Sequence, residues 1–239
     1  MNEIFNIIKS SLRNNSFYIP SNNSFVNGCS LTIKQYNELL ELNATVELGF
    51  EQYIKYSILT DKIITSNLDN LDSILYFDKP FLLAQIKISQ EENFLGISLN
   101  RYQENLKNKM SNVTLSSYEA SYTNNSLNIN FGLNNFNFVQ QVHNEFFDVI
   151  NNNYNFAGDI ITLEMFKYLK SINYHNQNIS SNKSVKEIKN LIEEMPAKLV
   201  ETFDNFLKTV NKDITELNKI DIEGEEFICN PSLEFMLSW

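Results

Sequence analysis

The segment Ser184–Leu217 carries the clearest structural signal in this chain, because two helix-start features precede a long apolar stripe. Ser184 and Glu187 have the spacing of a capping box, in which each side chain satisfies a free backbone N–H of the other residue. Pro196 lacks the N–H that a continuous helix would use, so the helix is predicted to break or restart there. The segment therefore predicts a short helix, a structural turn at Pro196 and a long second helix.

The long second helix is predicted to be amphipathic. Its apolar residues recur at every third or fourth position, which places them on one face of a helix. These residues are Leu199, Phe203, Phe206, Leu207, Val210, Ile214 and Leu217. Such a face either belongs to the core of the chain itself or covers an apolar helix of another protein. Periodicity alone leaves both interpretations open.

The N-terminal part of the chain is dominated by helical patterns. Residues 1–13 indicate a short amphipathic helix or a docking arm, and an extended strand is predicted around Phe17–Ile19. Thr32 and Gln35 repeat the capping-box spacing and predict the start of a helix. The further predicted helices span residues 46–59 and 68–75 and a stretch that follows Asp78, its predicted N-cap.

The pattern changes after Phe94. Apolar and polar residues alternate from Leu127 to Phe131, which is typical of a half-buried strand. A strand is also predicted over residues 112–118, and the polar residues 123–125 predict the turn that joins the two. A β-hairpin is therefore expected in the middle of the chain.

Helical spacing resumes over residues 138–150 and again after Asp159, which is predicted to be an N-cap. Residues 172–183 are interpreted as a polar connection to the helix pair described above. Beyond that pair, the residues 223–224 predict a turn into a short strand or extended tail at residues 227–229.

Together these patterns predict a mainly α fold with a small β-hairpin or sheet insertion, that is, an α+β fold with helical N-terminal and C-terminal subdomains. Residues 1–93 would form the N-terminal helical subdomain, with an extended arm before it, and residues 94–137 a β-rich middle segment. Residues 138–239 would form the C-terminal helical subdomain, which ends in a short extended tail.

The chain has 19 Lys and Arg residues against 29 Asp and Glu residues, for a formal net charge of −10. Phosphate backbones repel an acidic surface, so nucleic-acid binding as the main role is disfavoured. No apolar run approaches the roughly 18–20 residues that span a bilayer, and the N-terminus lacks the apolar core of a signal peptide. We therefore expect a soluble protein made inside the cell, with no nucleic-acid or membrane partner.

Residues that usually carry chemistry are sparse. His143 and His175 have no Cys, His or carboxylate at metal-ligand spacing, and no phosphate loop, dinucleotide fingerprint or nucleophile motif occurs. Cys29 and Cys229 allow one disulfide or two free thiols. Adjacent acidic residues on a helix point away from each other, so they do not supply the paired carboxylates of a glycosidase. We predict no catalytic residue, no metal site and no cofactor, and we do not expect an enzyme.

Five segments follow one another in a recognisable order. Leu31–Leu42 runs from an extended stretch into a helix, Asp69–Gln90 predicts paired helices, and Gly158–Ile172 predicts a single helix. Leu191–Val210 then combines a Glu-Glu-Met-Pro-Ala turn with a long helix, and Phe227–Leu237 is a short terminal segment ending in apolar residues. This arrangement resembles the baseplate hub assembly proteins of T-even-type contractile-tailed bacteriophages.

The resemblance implies a non-enzymatic protein of phage tail assembly, either a structural subunit of the baseplate hub or an assembly chaperone. Its partners would be other baseplate hub or tape-measure proteins, and it could itself form an oligomer. It would act in the host cytoplasm during virion assembly or reside in the tail baseplate of the virion. Capture of partner helices by apolar helix faces is a mechanism compatible with the stripes. The candidate partner-binding residues are Leu39, Leu40, Phe50, Phe203, Phe206, Leu207 and Val210.

Two alternative functions stay open. A helical protein-interaction module of other origin would carry the same apolar stripes without any partner from a phage tail. An unrecognised hydrolase would need a cleft that brings carboxylates together or contains His143.

Overall fold

The computed structural model describes residues 15–44, 50–90, 96–150, 156–180, 183–230, 232 and 235–236 of the chain. The chain divides into two compact units. The first consists of Met1–Ile74, Asp78–Val113 and Ile214–Trp239, and the second consists of Leu75–Phe77 and Thr114–Asp213. The helix or arm predicted at residues 1–13 lies outside the described residues.

Along the described part of the chain, the strands come in consecutive pairs that are separated by groups of helices. The strands are β1 (Asn15–Ile19), β2 (Ser24–Gly28), β3 (Glu119–Asn124), β4 (Leu127–Gly132), β5 (Leu169–Tyr174), β6 (Gln177–Asn178), β7 (Lys219–Ile222) and β8 (Glu225–Ile228). The helices are α1 (Ile33–Ala44), α2 (Phe50–Asn67), α3 (Lys79–Ile88), α4 (Leu99–Met110), α5 (Phe136–Ile150), α6 (Phe156–Tyr168), α7 (Val185–Glu193) and α8 (Lys198–Asn218). The strands form three antiparallel sheets, β1-β2, β3-β4-β5-β6 and β7-β8.

The prediction of a mainly α fold with one small β insertion is wrong. The described residues form an α+β fold with three small sheets, rather than two helical subdomains that flank a single β insertion. The predicted boundaries after residues 93 and 137 do not coincide with those of the two units, because the first unit contains both ends of the chain. Strands β2 and β5 do not alternate strictly between apolar and polar residues, and β7 has only four residues, so the pattern that reveals a strand in sequence is weak in all three.

Helix α3 is buried on all sides in the first unit. Its residues from Phe81 to Ile88 are all buried, in keeping with the nearly continuous apolar sequence that follows Pro80. The helix packs against β1, α2 and α4. Helix α4 holds the β7–β8 hairpin, because Arg101 and Asn105 donate hydrogen bonds to the backbone carbonyls of Asp221 and Lys219.

The four-stranded sheet is the basis of the second unit. Ile129 on β4 pairs with Tyr122 on β3 and with Ile172 on β5, and all three side chains are buried. Phe203 on α8 packs its ring against that of Phe131 on β4, with centroids 5.0 Å apart. The long helix therefore covers one face of the sheet with its apolar stripe.

Both predicted capping boxes are confirmed. The Glu187 N–H donates to Ser184 Oγ at 3.3 Å, and the Ser184 N–H donates to the Glu187 carboxylate at 2.9 Å. Thr32 and Gln35 make the equivalent pair at 3.2 and 2.9 Å. The break at Pro196 is also confirmed, since this residue lies between α7 and α8.

Two local predictions are wrong, and a third is right in position but not in the hydrogen bond expected of it. Residues 68–75 form turns and isolated bridges instead of a helix. Asp78 is the N-cap residue of α3, as predicted, but its side chain makes no cap hydrogen bond, and its carboxylate accepts from the Ser21 N–H and hydroxyl at 2.8 and 2.5 Å. Asp159 lies inside α6 and forms an ion pair with Lys189 at 3.0 Å. Tertiary partners thus replace the capping role that local sequence predicts for these carboxylates.

Helix α4 and the β5–β6 hairpin have no counterpart in the sequence-based prediction. In α4, the buried residues Tyr102, Leu106 and Met110 recur every four positions, but polar residues fill all the positions between them. Residues 172–183, interpreted as a connection, contain the end of β5 and the whole of β6. The β-hairpin at β3–β4 is confirmed, with its first strand later in the sequence than predicted.

Candidate binding groove

Four of the predicted partner-binding residues lie in the interior. Leu39, Phe203, Phe206 and Val210 are all buried. Within the second unit, the rings of Phe203 and Phe206 have centroids 6.2 and 5.4 Å from that of Tyr168. A partner could reach these side chains only if the fold opened, so burial favours the core interpretation of these positions.

The remaining predicted residues are distributed differently. Leu40 is 40% exposed on α1, and Leu207 is half-buried on α8. Phe50 begins α2, and its side chain lies outside the described part of the structure. Pro196 is exposed in the turn before α8. Leu40 and Leu207 therefore stay candidate contacts, on two different units of the chain.

Histidine and cysteine side chains occupy unrelated positions. His143 is buried on α5, and its ring centroid lies 5.8 Å from that of Tyr76. His175 is exposed in the turn after β5. Cys29 and Cys229 are both buried and form no disulfide, which confirms the alternative of two thiols. Among the described residues, no group of three or more His, Cys, Asp and Glu side chains could hold a metal ion.

The second unit contains a groove with a volume of about 350 Å³. Its lining comes from helices α5, α6 and α7, from strand β5 and from residues 178–180, which we call the β6 turn. This volume lies near the lower end of the roughly 300–1,000 Å³ typical of pockets that take small ligands. We regard the groove as the candidate functional site because it combines a concave shape with both apolar and charged side chains.

Six apolar side chains line the groove. They are Phe138, Val142, Phe166, Leu169, Val185 and Ile188. Phe138 and Val142 are four positions apart on α5, and Val185 and Ile188 are three apart on α7, so each helix turns one face towards the groove. Most of these side chains are buried, but Phe138 is 43% exposed. The groove therefore offers an apolar floor and one accessible aromatic ring.

Polar side chains of α5 contribute to the same lining. Gln141 and Glu145 are one helical turn apart, and Gln141 Nε2 donates to Glu145 Oε1 at 2.7 Å. Within the described lining, Glu145 has no second carboxylate beside it. The groove therefore does not assemble, among these residues, the convergent carboxylates that a glycosidase mechanism requires.

The β6 turn forms a fixed polar wall. Asn178 Oδ1 accepts hydrogen bonds from the N–H and the hydroxyl of Ser180, at 2.9 and 2.8 Å. Ser180 Oγ in turn accepts from the Ile172 N–H of β5 at 3.1 Å. These bonds connect the turn to the sheet, so this side of the groove is held in place without a ligand.

Two lysines stand at the groove. Lys183 precedes α7 and lies 3.7 Å from Glu187, with both side chains more than a third exposed. Lys170 is the extra residue of a β-bulge, because Leu169 and Ser171 pair with consecutive residues of β4 and Lys170 has no partner there. Bulges redirect a side chain and are common beside functional sites.

Partial burial lowers the pKa of Lys170, while the nearby Glu119 carboxylate acts in the opposite direction. The stem of Lys170 lies over Gly132, where an added Cβ would be 3.1 Å from Lys170 Cε. A side chain on residue 132 would therefore displace this stem. Because Gly132 has no side chain, the stem of Lys170 can lie along the sheet and extend to the groove.

Sequence periodicity predicts part of this lining. The α5 and α7 residues belong to stripes that the pattern places on helices. Lys170, Asn178, Ser180 and Lys183 fall in or next to the segment interpreted as a connection, and no motif marks them. Their place in the groove depends on the bulge and on the β6 turn, which are set by pairing with β4 and β5.

No protein-family model, curated protein or solved structure matches this chain. Among the described helices, none has both the length and the apolar character needed to cross a bilayer.

Proposed function

We propose that this protein is a non-enzymatic, protein-binding component of contractile phage tail assembly, either a baseplate hub subunit or an assembly chaperone. The groove of the second unit is the observation that carries the proposal. Its apolar floor suits a large side chain of a partner, and its fixed polar wall can orient the partner's backbone. The tail-assembly context rests on the resemblance of the five sequence segments, and the expected partners are hub or tape-measure proteins.

The accessible ring of Phe138 supports a role in protein binding. Aromatic side chains at the centre of an interface contribute much of its binding free energy, because they bury a large apolar area with few rotatable bonds. Phe138 lies on a helix and beside a concave apolar floor, so an incoming side chain would contact the ring and the floor together.

The acidic character of the chain fits the same role. A net charge of −10 keeps a complex with an aggregation-prone partner soluble and disfavours binding to the phage DNA present during assembly. Neither the solubility of the complex nor the repulsion of DNA requires a catalytic reaction at the groove.

The proposal is tested by affinity capture of the full chain from infected cells, followed by mass spectrometry of the bound proteins. Purified virus particles are analysed in parallel. The natural chain is compared with Phe138→Ser, which removes the accessible ring of the groove. The matched control is Tyr174→Ser, because Tyr174 is also an exposed aromatic of the second unit but does not line the groove.

Recovery of hub or tape-measure proteins by the natural chain and by Tyr174→Ser, with loss in Phe138→Ser, is the expected result. A fixed copy number in particles would then identify a resident subunit, whereas presence in the lysate alone would identify a chaperone. Capture of no tail protein by any form would overturn the proposed function.

A further inference from the structure

The charge at the groove differs from that of the chain as a whole. Acidic residues outnumber basic ones by 29 to 19 in the sequence. The lining of the groove contains two lysines, Lys170 and Lys183, and one carboxylate, Glu145, whose Oε1 already accepts a hydrogen bond from Gln141. The lining is therefore locally basic around an apolar floor.

Lys170 has an ammonium group without a counter-ion close by. Among the residues that the structure describes, it makes no ion pair and no hydrogen bond, and Glu119 influences it only at a distance. Its position in the β-bulge holds it at the groove, where its side chain is exposed and its charge is available to a ligand. A carboxylate supplied by a ligand would compensate that charge.

Lys183 provides a second cation on the other side of the β6 turn. Its contact with Glu187 is a long, exposed ion pair, which contributes little and can rearrange. Glu187 is also held by its capping bonds to Ser184, so its carboxylate stays directed at the start of α7. Lys183 can therefore turn towards an acidic group in the groove without disrupting the helix cap.

We propose that the groove binds an acidic–apolar protein segment, in which a large apolar side chain is flanked by Asp or Glu. The apolar side chain packs against Val142, Phe166 and Ile188, and the neighbouring carboxylate pairs with Lys170 or Lys183. This inference rests on the proposed protein-binding function and names the chemistry of the partner. An acidic segment fits better than nucleic acid, since the apolar floor cannot accept phosphates and the rest of the chain repels them.

The inference is tested by fluorescence anisotropy of the full chain with the labelled peptide Gly-Ser-Glu-Phe-Glu-Ser-Gly. Three matched peptides replace both Glu residues with Gln, both Glu residues with Lys, or the Phe residue with Ala. We expect the Glu peptide to bind about two- to fivefold more tightly than the Gln peptide, as for partly exposed ion pairs. The Ala peptide should bind roughly tenfold or more weakly, because the apolar contact is lost.

Variants of the chain test whether the preference for the Glu peptide over the Gln peptide arises at the groove. Lys170→Met and Lys183→Met keep the apolar stem and remove the charge, so each should reduce the preference for the Glu peptide over the Gln peptide. Lys186→Met is the matched control, since Lys186 is an exposed lysine of α7 that does not line the groove. Raising the salt concentration from about 0.1 M to about 1 M should reduce the preference in the natural chain, because exposed charges are screened.

Equal binding of the Glu and Gln peptides, or an equal preference in all three lysine variants, would overturn the inference. Sodium decanoate as a competitor distinguishes a protein segment from a small amphiphile. If decanoate binds and none of the peptides does, the groove takes a small carboxylate and the inference is wrong. The proposed function fails separately, because it depends on recovery of tail proteins and on Phe138 rather than on the charge preference.

Discussion

The side-chain amide of Gln85 on α3 forms two hydrogen bonds with the backbone of Tyr18 on β1. The Tyr18 N–H donates to Gln85 Oε1 at 2.7 Å, and Gln85 Nε2 donates to the Tyr18 carbonyl at 2.8 Å. Gln103 on α4 also donates to Gln85 Oε1, at 2.9 Å. The amide therefore acts as a strand partner for β1, and it connects the hairpin to two helices inside the first unit.

Gln85→Met should lower the free energy of unfolding by about 2–5 kcal/mol, because it leaves the buried N–H and carbonyl of Tyr18 without partners. Gln177→Met, at an exposed position of β6, should change it by less than about 0.5 kcal/mol. Urea titration followed by circular dichroism measures both values. Equal effects of the two substitutions would show that the bonds to Tyr18 contribute little.

Lys79 and Asp61 form a buried ion pair in the first unit. Lys79 Nζ lies 2.6 Å from Asp61 Oδ1, with side chains 10% and 1% exposed, and it also donates to the Ser57 carbonyl at 3.1 Å. Removing one member leaves a buried charge, so Lys79→Met should destabilise the fold by about 3–5 kcal/mol. The double variant Lys79→Met/Asp61→Leu should lose less than Lys79→Met alone, because apolar packing replaces the pair.

A surface pair provides the control for this double-mutant cycle. Lys62 and Glu38 are 3.0 Å apart, with the Lys62 side chain 60% exposed. Lys62→Met should cost between about 0 and 1 kcal/mol. If Lys79→Met had an equally small effect, the buried pair would not be a significant contributor to stability.

The Gln85–Tyr18 hydrogen bonds and the Lys79–Asp61 ion pair also show which contacts local sequence does not predict. The capping boxes at Thr32 and Ser184 are predictable because both partners lie within one helical turn. Gln85 and Tyr18 are 67 residues apart, and nothing in either local sequence marks the pairing. A glutamine in an apolar run indicates only that a buried polar group needs some partner.

The lining of the groove is likewise only partly predictable from local sequence. The spacing of Phe138 and Val142 predicts a helix face, although it does not reveal that Phe138 stays accessible. Lys170 reaches the groove because of a register shift between β4 and β5, which arises from strand pairing across about 40 residues of chain. Residue spacing predicts that the apolar stripe of α8 lies on one helix face, yet only the fold shows that its phenylalanines pack on Phe131.

Phe206 tests the core interpretation of the α8 stripe. Its ring centroid lies 6.4 Å from that of Phe131 and 5.4 Å from that of Tyr168. Phe206→Ala should lower the free energy of unfolding by about 3–5 kcal/mol, because it removes a buried ring and leaves a cavity. Val200→Ala on the exposed side of the same helix should cost less than about 0.5 kcal/mol. A folded, stable Phe206→Asp chain would contradict burial of this residue and restore the partner-binding interpretation.

The Ser184–Glu187 capping box should make α7 sensitive to acid. Hydrogen bonds from the Ser184 backbone and hydroxyl, together with the charge of Lys183, lower the pKa of Glu187. Because the pKa is lowered in the folded state, the ionised Glu187 carboxylate stabilises the fold fully above the ordinary glutamate pKa of 4.5. This stabilisation is lost as the pH falls through the lower pKa of the folded state. The stability difference between the natural chain and Glu187→Gln should therefore shrink in acid.

Ser184→Ala is the matched variant for this cap. It removes the hydroxyl that bonds to Glu187, so it should cost about 1 kcal/mol at neutral pH and weaken the acid dependence attributed to Glu187. Urea titrations at a series of pH values measure both effects. An unchanged acid profile in Ser184→Ala would show that the Ser184 hydroxyl does not contribute to the lowered pKa of Glu187, which the backbone N–H of residue 184 would then maintain.

Cys229 should make the first unit sensitive to alkali. Burial raises the pKa of this thiol from its ordinary value of 9.0 to about 12, although the nearby Lys109 charge opposes the shift. Because the folded state holds the proton more tightly, its stabilisation is complete below about pH 9 and is lost as the pH rises towards 12. Burial and the Cys229 thiolate likewise raise the pKa of Tyr102, which adds to the loss in the same direction.

The thiol itself reports this behaviour. In a Cys29→Ala background, Cys229 is the only cysteine, and it should not react with an aromatic disulfide reagent near pH 8 while the chain is folded. Unfolding in concentrated guanidinium chloride should expose it and allow full reaction. Cys229→Ala should flatten the fall of stability between about pH 9 and pH 12. Rapid labelling of the folded chain near pH 8 would contradict the burial that raises this pKa.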